Sequence, residues 1–399
     1  MKLVSNILKL CAAALLPVLG SVSFSYAATP ARVNPAFLRD VSSTTTSAAY
    51  RVKSAATARR PLGLRPSPVD MSHMAGRDVS GLISRRAGIS AAAATSYSAS
   101  YDLRTTTYTK LTAIRDQGYY GSCWTFATYG SLESNLLPSE TWDFSENNLA
   151  MNSGFDNSDP MNGGGTSLMS AAYLARWGGP VNETDDPYPA SWSGETDAQL
   201  LANEVKRTGL AVQKHLQEMF WLPQAATYNE TAFKNNVKAA ITSYGAVYSS
   251  IYWDDNASKS NYLTFYNPNC NKPYGVTGYH CSCGSSCGVH AIALVGWNDS
   301  YLASNFKTTP KGPGAFIARN SWGADVGDGG YFYISYYDTS IGGESAVFDV
   351  AEATSNYTKV YQYDPLGFTY EMGNGDVGGV DSYMEWMANI SLPPPRPGM

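Results

Sequence analysis

The chain has 399 residues, of which 44% are hydrophobic and 15% are charged, a composition typical of a globular protein and not of a disordered one. Its formal net charge is -5, and the lysines and arginines form no cluster in the globular part. This excludes the usual electrostatic pattern of a nucleic-acid-binding protein. The 36 glycines and 28 tyrosines indicate many turns and strands.

Residues 1–27 have the pattern of a secretory signal peptide. Lys2 and Lys9 precede an apolar run over residues 10–19, and residues 25–27, Ser-Tyr-Ala, match a small-x-small cleavage site. We therefore expect a secreted or cell-surface protein. No later stretch holds the roughly 18 consecutive apolar residues that a membrane-spanning helix needs, so we expect no membrane span.

Residues 28–99 form a predicted leader or pro-region. They are rich in Ala, Ser, Thr and Arg and show little sustained apolar periodicity, which favours an exposed or removable segment over a packed domain. The stretch PSPVDMSHM, residues 66–74, is the one part of this leader that we expect to dock on a folded domain.

Residues 100–350 are predicted to form the folded domain. Pro-free apolar patterns predict helices over residues 123–137, 166–177 and 231–245. After residue 245, short β-branched and aromatic runs separated by Gly, Pro and Asn predict strands. The expected fold class is therefore α+β, with a helical half followed by a β half.

Cys123 opens the first of these helices, and Ser122 is a candidate cap for it. A thiol in the first turn of a helix ionises more easily, because unpaired N–H groups and the helix dipole favour negative charge there. A thiolate is the reactive form of cysteine. The position alone leaves two interpretations open, a reactive thiol and a buried, inert cysteine.

A base for such a thiol has to come from one of four histidines. His290 opens the apolar run HAIALVGW, so it lies at the entry of a predicted strand where a side chain can face a cleft. His73, His215 and His280 lie in the leader, in a polar segment and beside a cysteine cluster, and we expect them to have ordinary structural or surface roles.

Three motifs in order carry a resemblance to a known family. DQGYYGSCWTFA (residues 116–127), HAIALVGW (290–297) and NSWG (320–323) followed by GDGGYFYISY (327–336) resemble the nucleophile, histidine and asparagine motifs of the papain-like cysteine peptidases. The resemblance extends over residues 101–348. It implies a papain-like two-lobe fold, with a helical N-terminal lobe, an antiparallel β-barrel C-terminal lobe and the active-site cleft between them.

The resemblance also implies catalytic roles for matching residues. Cys123 would attack the scissile carbonyl, and His290 would hold the thiolate as an ion pair and then protonate the leaving amine. Asn320 would orient the imidazole. The Gln117 side-chain amide and the Cys123 backbone N–H would form the oxyanion hole. No cofactor is implied.

Four further positions are assigned to substrate binding. Gly163, Gly164 and Gly165 resemble the glycine edge on which the substrate backbone lies, where a side chain would prevent close approach; a plain turn is the alternative. Trp322 would shield the bond between His290 and Asn320 from water. These assignments, too, are implied by the resemblance.

Four cysteines lie close together before the histidine motif, namely Cys270, Cys281, Cys283 and Cys287. In a secreted chain we expect two disulfides among them, with three connectivities open. A zinc site that includes His280 is the alternative. In either case we expect the cluster to make one rim of the cleft rigid, without a catalytic metal.

The C-terminal residues 351–399 are predicted to be a tail. Residues 360–373 resemble the start of a lectin-like module that follows the peptidase in some bacterial and archaeal relatives, so we consider contact with surface glycans through this segment. About 40 residues are too few for an independent sandwich domain. A structural tail is the preferred interpretation.

These observations predict a secreted, monomeric cysteine endopeptidase, made with a signal and a leader and acting on protein or peptide substrates. One alternative is a non-catalytic surface adhesion protein on a peptidase scaffold; the presence of all four catalytic residues argues against it. Another is a transpeptidase or amidase of cell-wall peptides, which uses the same acyl-enzyme chemistry. The sequence does not separate hydrolysis from transfer, because partition between water and an amine depends on the shape of the cleft.

Overall fold

The computed structural model describes residues 32–37, 62–88, 97–105, 110–154, 159–191, 193–273, 279–282, 287–357 and 359–360. The predicted signal peptide lies outside these residues, as does all but the first residue of the predicted lectin-like stretch. Among the helices that are described, none has the length and apolar character required to cross a bilayer.

Most helices lie in the first half of the domain and most strands in the second half. The helices are α1 (Ser80–Arg86), α2 (Cys123–Leu136), α3 (Glu146–Asn152), α4 (Ser167–Ala175), α5 (Asp197–Asn203) and α6 (Thr231–Tyr244). The strands are β1 (Arg32–Val33), β2 (Val69–Asp70), β3 (Ser100–Asp102), β4 (Lys214–Trp221), β5 (Val247–Asp254), β6 (Ser258–Lys259), β7 (Thr264–Phe265), β8 (Cys287–Asn298), β9 (Ala315–Arg319), β10 (Tyr331–Ser335) and β11 (Ser345–Ala353). The three predicted helices correspond to α2, α4 and α6, each ending one or two residues earlier than predicted.

Helix α2 is the buried centre of the helical lobe. Every residue in it except Asn135 is buried, as its lack of a polar face predicts. It ends at Leu136, shortly before Pro138, because the residue preceding a proline is disfavoured in helical geometry. Its first residue is Cys123, and the helix therefore places that thiol at the end of a rigid element.

The strands form a nine-stranded sheet in the order β4, β11, β5, β8, β9, β10, β7 and β6, with β3 paired to β8. All neighbouring pairs are antiparallel except β7 with β10, so the expectation of a purely antiparallel sheet is wrong at that pair. The prediction of strands only after residue 245 is also wrong. Strands β3 and β4 come earlier in the chain and join the sheet through long-range pairing with β8 and β11.

Strand β8 separates two hydrophobic clusters. Its Val289 and Ala291 belong to the cluster around α2, whereas the residues from Ile292 to Val295 belong to the second cluster. Both clusters therefore meet along this strand. His290 lies within this strand, at the border between the helical lobe and the sheet.

The leader docks on the folded domain along several segments. Val79 N–H donates to Asn236 Oδ1 of α6 at 2.8 Å, and Asn236 Nδ2 donates to the Arg77 carbonyl at 2.8 Å, which fixes the start of α1. The docked part also includes residues 62–65, upstream of PSPVDMSHM. The expectation that residues 66–74 alone would dock is therefore wrong.

The predicted boundary between the domain and the tail falls inside a strand. Strand β11 continues through residue 351 to Ala353, and Ala351 is paired with Leu216 of β4. The first residues of the predicted tail are therefore part of the sheet.

Candidate active site

Cys123 lies at the first position of α2 with its side chain fully buried. Its Sγ accepts hydrogen bonds from Ala291 N–H at 3.4 Å and from Gly63 N–H of the leader at 3.3 Å. Ser122 occupies the cap position as predicted, but its side chain makes no capping hydrogen bond. Its Oγ instead lies 2.5 Å from the hydroxyl of Tyr188.

His290 and Asn320 are joined by a hydrogen bond of 2.8 Å between Nε2 and Oδ1. Because the Asn320 oxygen is an acceptor, Nε2 carries the proton, and Nδ1 of the neutral ring keeps its lone pair. Within the described part of the chain, Nδ1 has no hydrogen-bond partner. Asn320 Oδ1 also accepts from Ser321 N–H at 2.9 Å, so its oxygen is held in place from two sides.

Two tryptophans enclose the imidazole. The Trp322 ring stacks on His290 with centroids 4.7 Å apart and an interplanar angle of 22°. Trp253 of β5 meets His290 edge to face at 5.9 Å and Trp322 at 4.7 Å. Both rings are 1% exposed, and a shielding role for Trp322 stays a prediction. Trp253 could not be identified as a site residue from the sequence, where it is one bulky aromatic residue near the end of a predicted strand.

Gln117 is fully buried next to the start of α2. Its Oε1 accepts from Ser321 Oγ at 2.5 Å, and its Nε2 donates to the Tyr120 carbonyl at 2.8 Å. These two bonds, to Ser321 and to the Tyr120 carbonyl, fix which way the amide faces. Ser321 could not be identified as a site residue from the sequence.

The leader passes directly over the thiol. Gly63 and Arg65 hydrogen-bond the backbone of Gly165, with Gly165 N–H donating to the Gly63 carbonyl at 2.9 Å and Arg65 N–H donating to the Gly165 carbonyl at 2.8 Å. Leu64 N–H donates to the Val289 carbonyl at 3.3 Å, and the Leu64 side chain is 2% exposed. The leader therefore covers the thiol and pairs with Gly165 through one parallel β-bridge at Leu64.

The three glycines of the predicted substrate edge differ in position. A Cβ on Gly165 would lie 2.3 Å from the Trp124 ring, and one on Gly164, which has φ of +71°, would lie 2.8 Å from the Gly63 carbonyl oxygen. Gly163 instead donates its N–H to the Asp159 carbonyl in a turn. Gly164 and Gly165 therefore lie against Gly63 of the leader, whereas Gly163 lies in a turn; substrate binding stays a prediction for all three.

Burial dominates the ionisation of Cys123 and His290 in this arrangement. Loss of solvent raises the pKa of the Cys123 thiol to about 11 and lowers the pKa of the His290 imidazole to about 4, against the opposing effect of the hydrogen bond that His290 donates to Asn320. Both shifts favour the neutral forms. The leader-covered site thus favours a neutral thiol and imidazole over the ion pair expected from the sequence.

The described members of the cysteine cluster are oxidised. Cys270 and Cys281 form a disulfide, and Cys287 is also disulfide-bonded. Sulfurs in disulfides do not bind zinc as thiolates, and the described residues contain no group of three or more His, Cys, Asp or Glu suited to a metal ion. The structure thus supports disulfides over the zinc alternative. Among the described cysteines, Cys123 is the free thiol.

Comparisons with known proteins agree with this geometry. Residues 97–350 match the sequence model of the papain family cysteine proteases. The chain is 27% identical over 229 residues to cysteine proteinase 1 of Entamoeba histolytica and 28% identical over 231 residues to a viral cathepsin of the Choristoneura fumiferana nuclear polyhedrosis virus. In both cases 56% of this chain is covered, and the chain spans 59% and 56% of the length of these relatives.

Among solved structures, the fold is similar to that of the cysteine protease and lectin-like domains of Cwp84, a surface-layer-associated protein of Clostridium difficile. The TM-score is 0.58 at 21% identity, and the match covers 84% of this chain and 64% of that one. At this level of identity the likeness concerns the fold, which is papain-like, with helices and one large mixed sheet.

Proposed function

The chain belongs to the papain family of cysteine proteases, and from this premise we propose that it is a secreted endopeptidase whose leader blocks the cleft until it is removed. The observation that carries the proposal is the position of the leader: residues 63–65 pair with the glycine edge, and Gly63 N–H bonds to the free thiol. A segment held in this way occupies the place that a substrate backbone needs.

The proposed nucleophile is Cys123, with His290 as its base. The lone pair on His290 Nδ1 is free, and the bond from Nε2 to Asn320 fixes the plane of the ring. Once the leader leaves and water enters, the burial that favours the neutral pair decreases, and proton transfer from Cys123 to His290 becomes favourable. The thiolate then attacks the scissile carbonyl, and His290 protonates the leaving amine as the acyl-enzyme forms.

The proposed oxyanion hole consists of the Gln117 side-chain amide and the Cys123 backbone N–H. Both donors are fixed before substrate arrives, the first by Ser321 and the Tyr120 carbonyl and the second by the start of a buried helix. Donors that are already oriented stabilise the developing negative charge without reorganisation, and removing one typically lowers kcat by about 100-fold or more.

Secretion is proposed from two observations. Residues 1–27 have the pattern of a signal peptide, and Cys270 and Cys281 form a disulfide, a bond that persists in oxidising compartments outside the cytosol. A monomeric state and contact of residues 351–399 with surface glycans stay predictions. The lectin-like domain in the Cwp84 structure supports a search for the glycan contact.

The test is product analysis with the full chain after its leader has been cut by limited proteolysis. We expect hydrolysis of unstructured protein and internally quenched peptides, loss of activity in Cys123→Ala and His290→Ala, and wild-type activity in His215→Gln as the histidine control. Activity that survives Cys123→Ala would refute the proposal. If an added amine acceptor gave more ligated than hydrolysed product, the proposed activity would be that of a transpeptidase and not of an endopeptidase.

A further inference from the structure

The loop between α4 and α5 packs on the segment that carries both proposed oxyanion donors. The Tyr188 hydroxyl lies 3.1 Å from the Gln117 carbonyl oxygen and 2.5 Å from Ser122 Oγ. Three residues further on, Ser191 Oγ accepts from Tyr119 N–H at 2.8 Å. The loop thus holds the stretch from residue 117 to residue 122 at three points.

The directions of these hydrogen bonds follow from the chemistry of the groups. A carbonyl oxygen can only accept, so the single hydroxyl hydrogen of Tyr188 goes to Gln117. The Tyr188 oxygen must therefore accept the hydrogen of Ser122. The Ser122 oxygen thus lies against Tyr188, and its side chain makes no capping bond to the N–H groups of α2.

The Tyr188 ring is held in a fixed position. It meets the rings of Tyr120 and Phe126 edge to face, with centroids 6.0 Å and 5.0 Å apart, and the Tyr188 N–H donates to Glu183 Oε1 at 3.0 Å. Burial raises the pKa of the Tyr188 hydroxyl well above its usual range, so the phenol stays protonated at every pH at which a protease works.

Upstream, the loop is fixed to the helical lobe by a buried carboxylate. Asp186 is fully buried and accepts from Asn147 Nδ2 at 2.8 Å, from Asn148 Nδ2 at 2.7 Å and from Arg207 at 2.6 Å. Asp186 therefore fixes the backbone two residues before the Tyr188 hydroxyl. A rigid support is what a group needs to set the position of another group to within a fraction of an ångström.

We propose that Tyr188 is a positioning residue for the oxyanion hole. Through Ser122 it fixes the residue next to Cys123, and through the Gln117 carbonyl it fixes the backbone from which the other donor projects. The inference rests on the proposed function, because Tyr188 does not touch substrate and acts only through these two donors. It predicts a defect in stabilising an oxyanion and no defect in the reactivity of the thiol.

The test separates these two properties with Tyr188→Phe in the full chain after leader cleavage. We expect kcat to fall about 10-fold, because the substitution removes both hydrogen bonds that hold this backbone while the two oxyanion donors themselves remain. KM should stay within about 2-fold. The inhibition constant of a peptide aldehyde, whose adduct with the thiol carries an oxyanion, should rise by the same factor. The rate of Cys123 alkylation by iodoacetamide, which forms no oxyanion, should stay at the wild-type value.

Two further variants complete the experiment. Tyr336→Phe removes another buried tyrosine hydroxyl, one at the end of β10 that donates to Asp299 Oδ1 at 2.6 Å, and should leave kcat and aldehyde affinity unchanged. Ser122→Ala should reproduce part of the defect of Tyr188→Phe, and the double variant should lose less than the product of the two single losses.

An unchanged kcat in Tyr188→Phe, or equal losses in kcat and alkylation rate, would overturn the role of Tyr188. Absence of Cys123-dependent hydrolysis in the wild-type chain would instead overturn the proposed function on which it rests. A failure of the Tyr188 role is therefore seen in the variant, and a failure of the proposed function is seen in the wild-type chain.

Discussion

Gly63 is the point at which the leader is most sensitive to a small substitution. A Cβ at this position would lie 1.6 Å from the backbone oxygen of Gly121 and 2.0 Å from its carbonyl carbon, far inside any van der Waals contact. Both colliding groups are backbone, so no rotation of a side chain relieves the overlap. Gly63→Ala is therefore expected to lift residues 63–65 out of the cleft.

The size of the effect follows from the contacts that hold this segment. The hydrogen bonds from Leu64 N–H to Val289, from Gly165 N–H to Gly63 and from Arg65 N–H to Gly165 contribute about 0.5–1.5 kcal/mol each. Burial of the Leu64 side chain adds about 1.5–3 kcal/mol. The sum is about 3–7 kcal/mol, and its lower end corresponds to about a 100-fold larger population with an open cleft.

The assay is the rate of Cys123 alkylation by iodoacetamide in the uncut full chain, followed by mass spectrometry of the labelled peptide. Gly63→Ala should be labelled about 100-fold faster than the wild type. Gly81→Ala is the matched control in the same leader, because a Cβ at Gly81 meets nothing within 4 Å. Leu64→Ala removes the buried side chain without a backbone clash and should also accelerate labelling.

Circular dichroism and the thermal unfolding midpoint establish that each variant is folded. A folded Gly63→Ala chain that is labelled as slowly as the wild type and Gly81→Ala would refute the reasoning, since it would mean that the leader does not limit access to the thiol.

Three further predictions concern the fold and the base. Burial raises the pKa of Glu133 to about 7, so the folded state retains a proton that the unfolded state releases near pH 4.5, and the free energy of unfolding should fall as pH rises from about 4.5 to about 7. Glu133→Gln should reduce this fall by up to about 3 kcal/mol, measured by urea unfolding. An unchanged pH dependence in the variant would contradict the prediction. Asn320→Ala frees the His290 ring and should lower kcat about 10- to 100-fold with unchanged Cys123 content by thiol titration; an unchanged kcat would count against the orienting role. Replacing Cys270 and Cys281 together by serine should lower the free energy of unfolding by about 2–3 kcal/mol, and an unshifted urea midpoint would show that this loop is not stabilised by its disulfide.

The helices and the central strands could be predicted from the sequence because their signals are local. Helix α2 lacks a polar face and is buried throughout, and the apolar run that begins at His290 is a strand buried on both faces. The pairing of β4 with β11 could not be predicted in this way, because it joins residues more than 100 positions apart and depends on the whole sheet.

Part of the site could likewise be predicted. The resemblance to the papain-like peptidases marked Gln117, His290 and Asn320, and the structure places Nε2 of the histidine on the asparagine oxygen. The contact of Gly63 with the thiol could not be foreseen, since a Gly-Leu pair in a polar, Ala-rich leader gives no local sign of the groove that receives it. Ser122 makes no capping bond, in contrast to the prediction, and its hydroxyl instead lies against Tyr188 of a loop that is distant in sequence.

The most direct test of the account is the pH dependence of Cys123 alkylation before and after removal of the leader. After removal, we expect the rate to follow an ionisation well below the usual thiol pKa of about 8.5, and we expect His290→Ala to return that ionisation to about 8.5 or higher. Before removal, labelling should be slow across the range in which the free enzyme reacts. An ionisation at or above about 8.5 in the leader-free wild type, unchanged by His290→Ala, would contradict the claim that this imidazole activates the thiol beneath the leader.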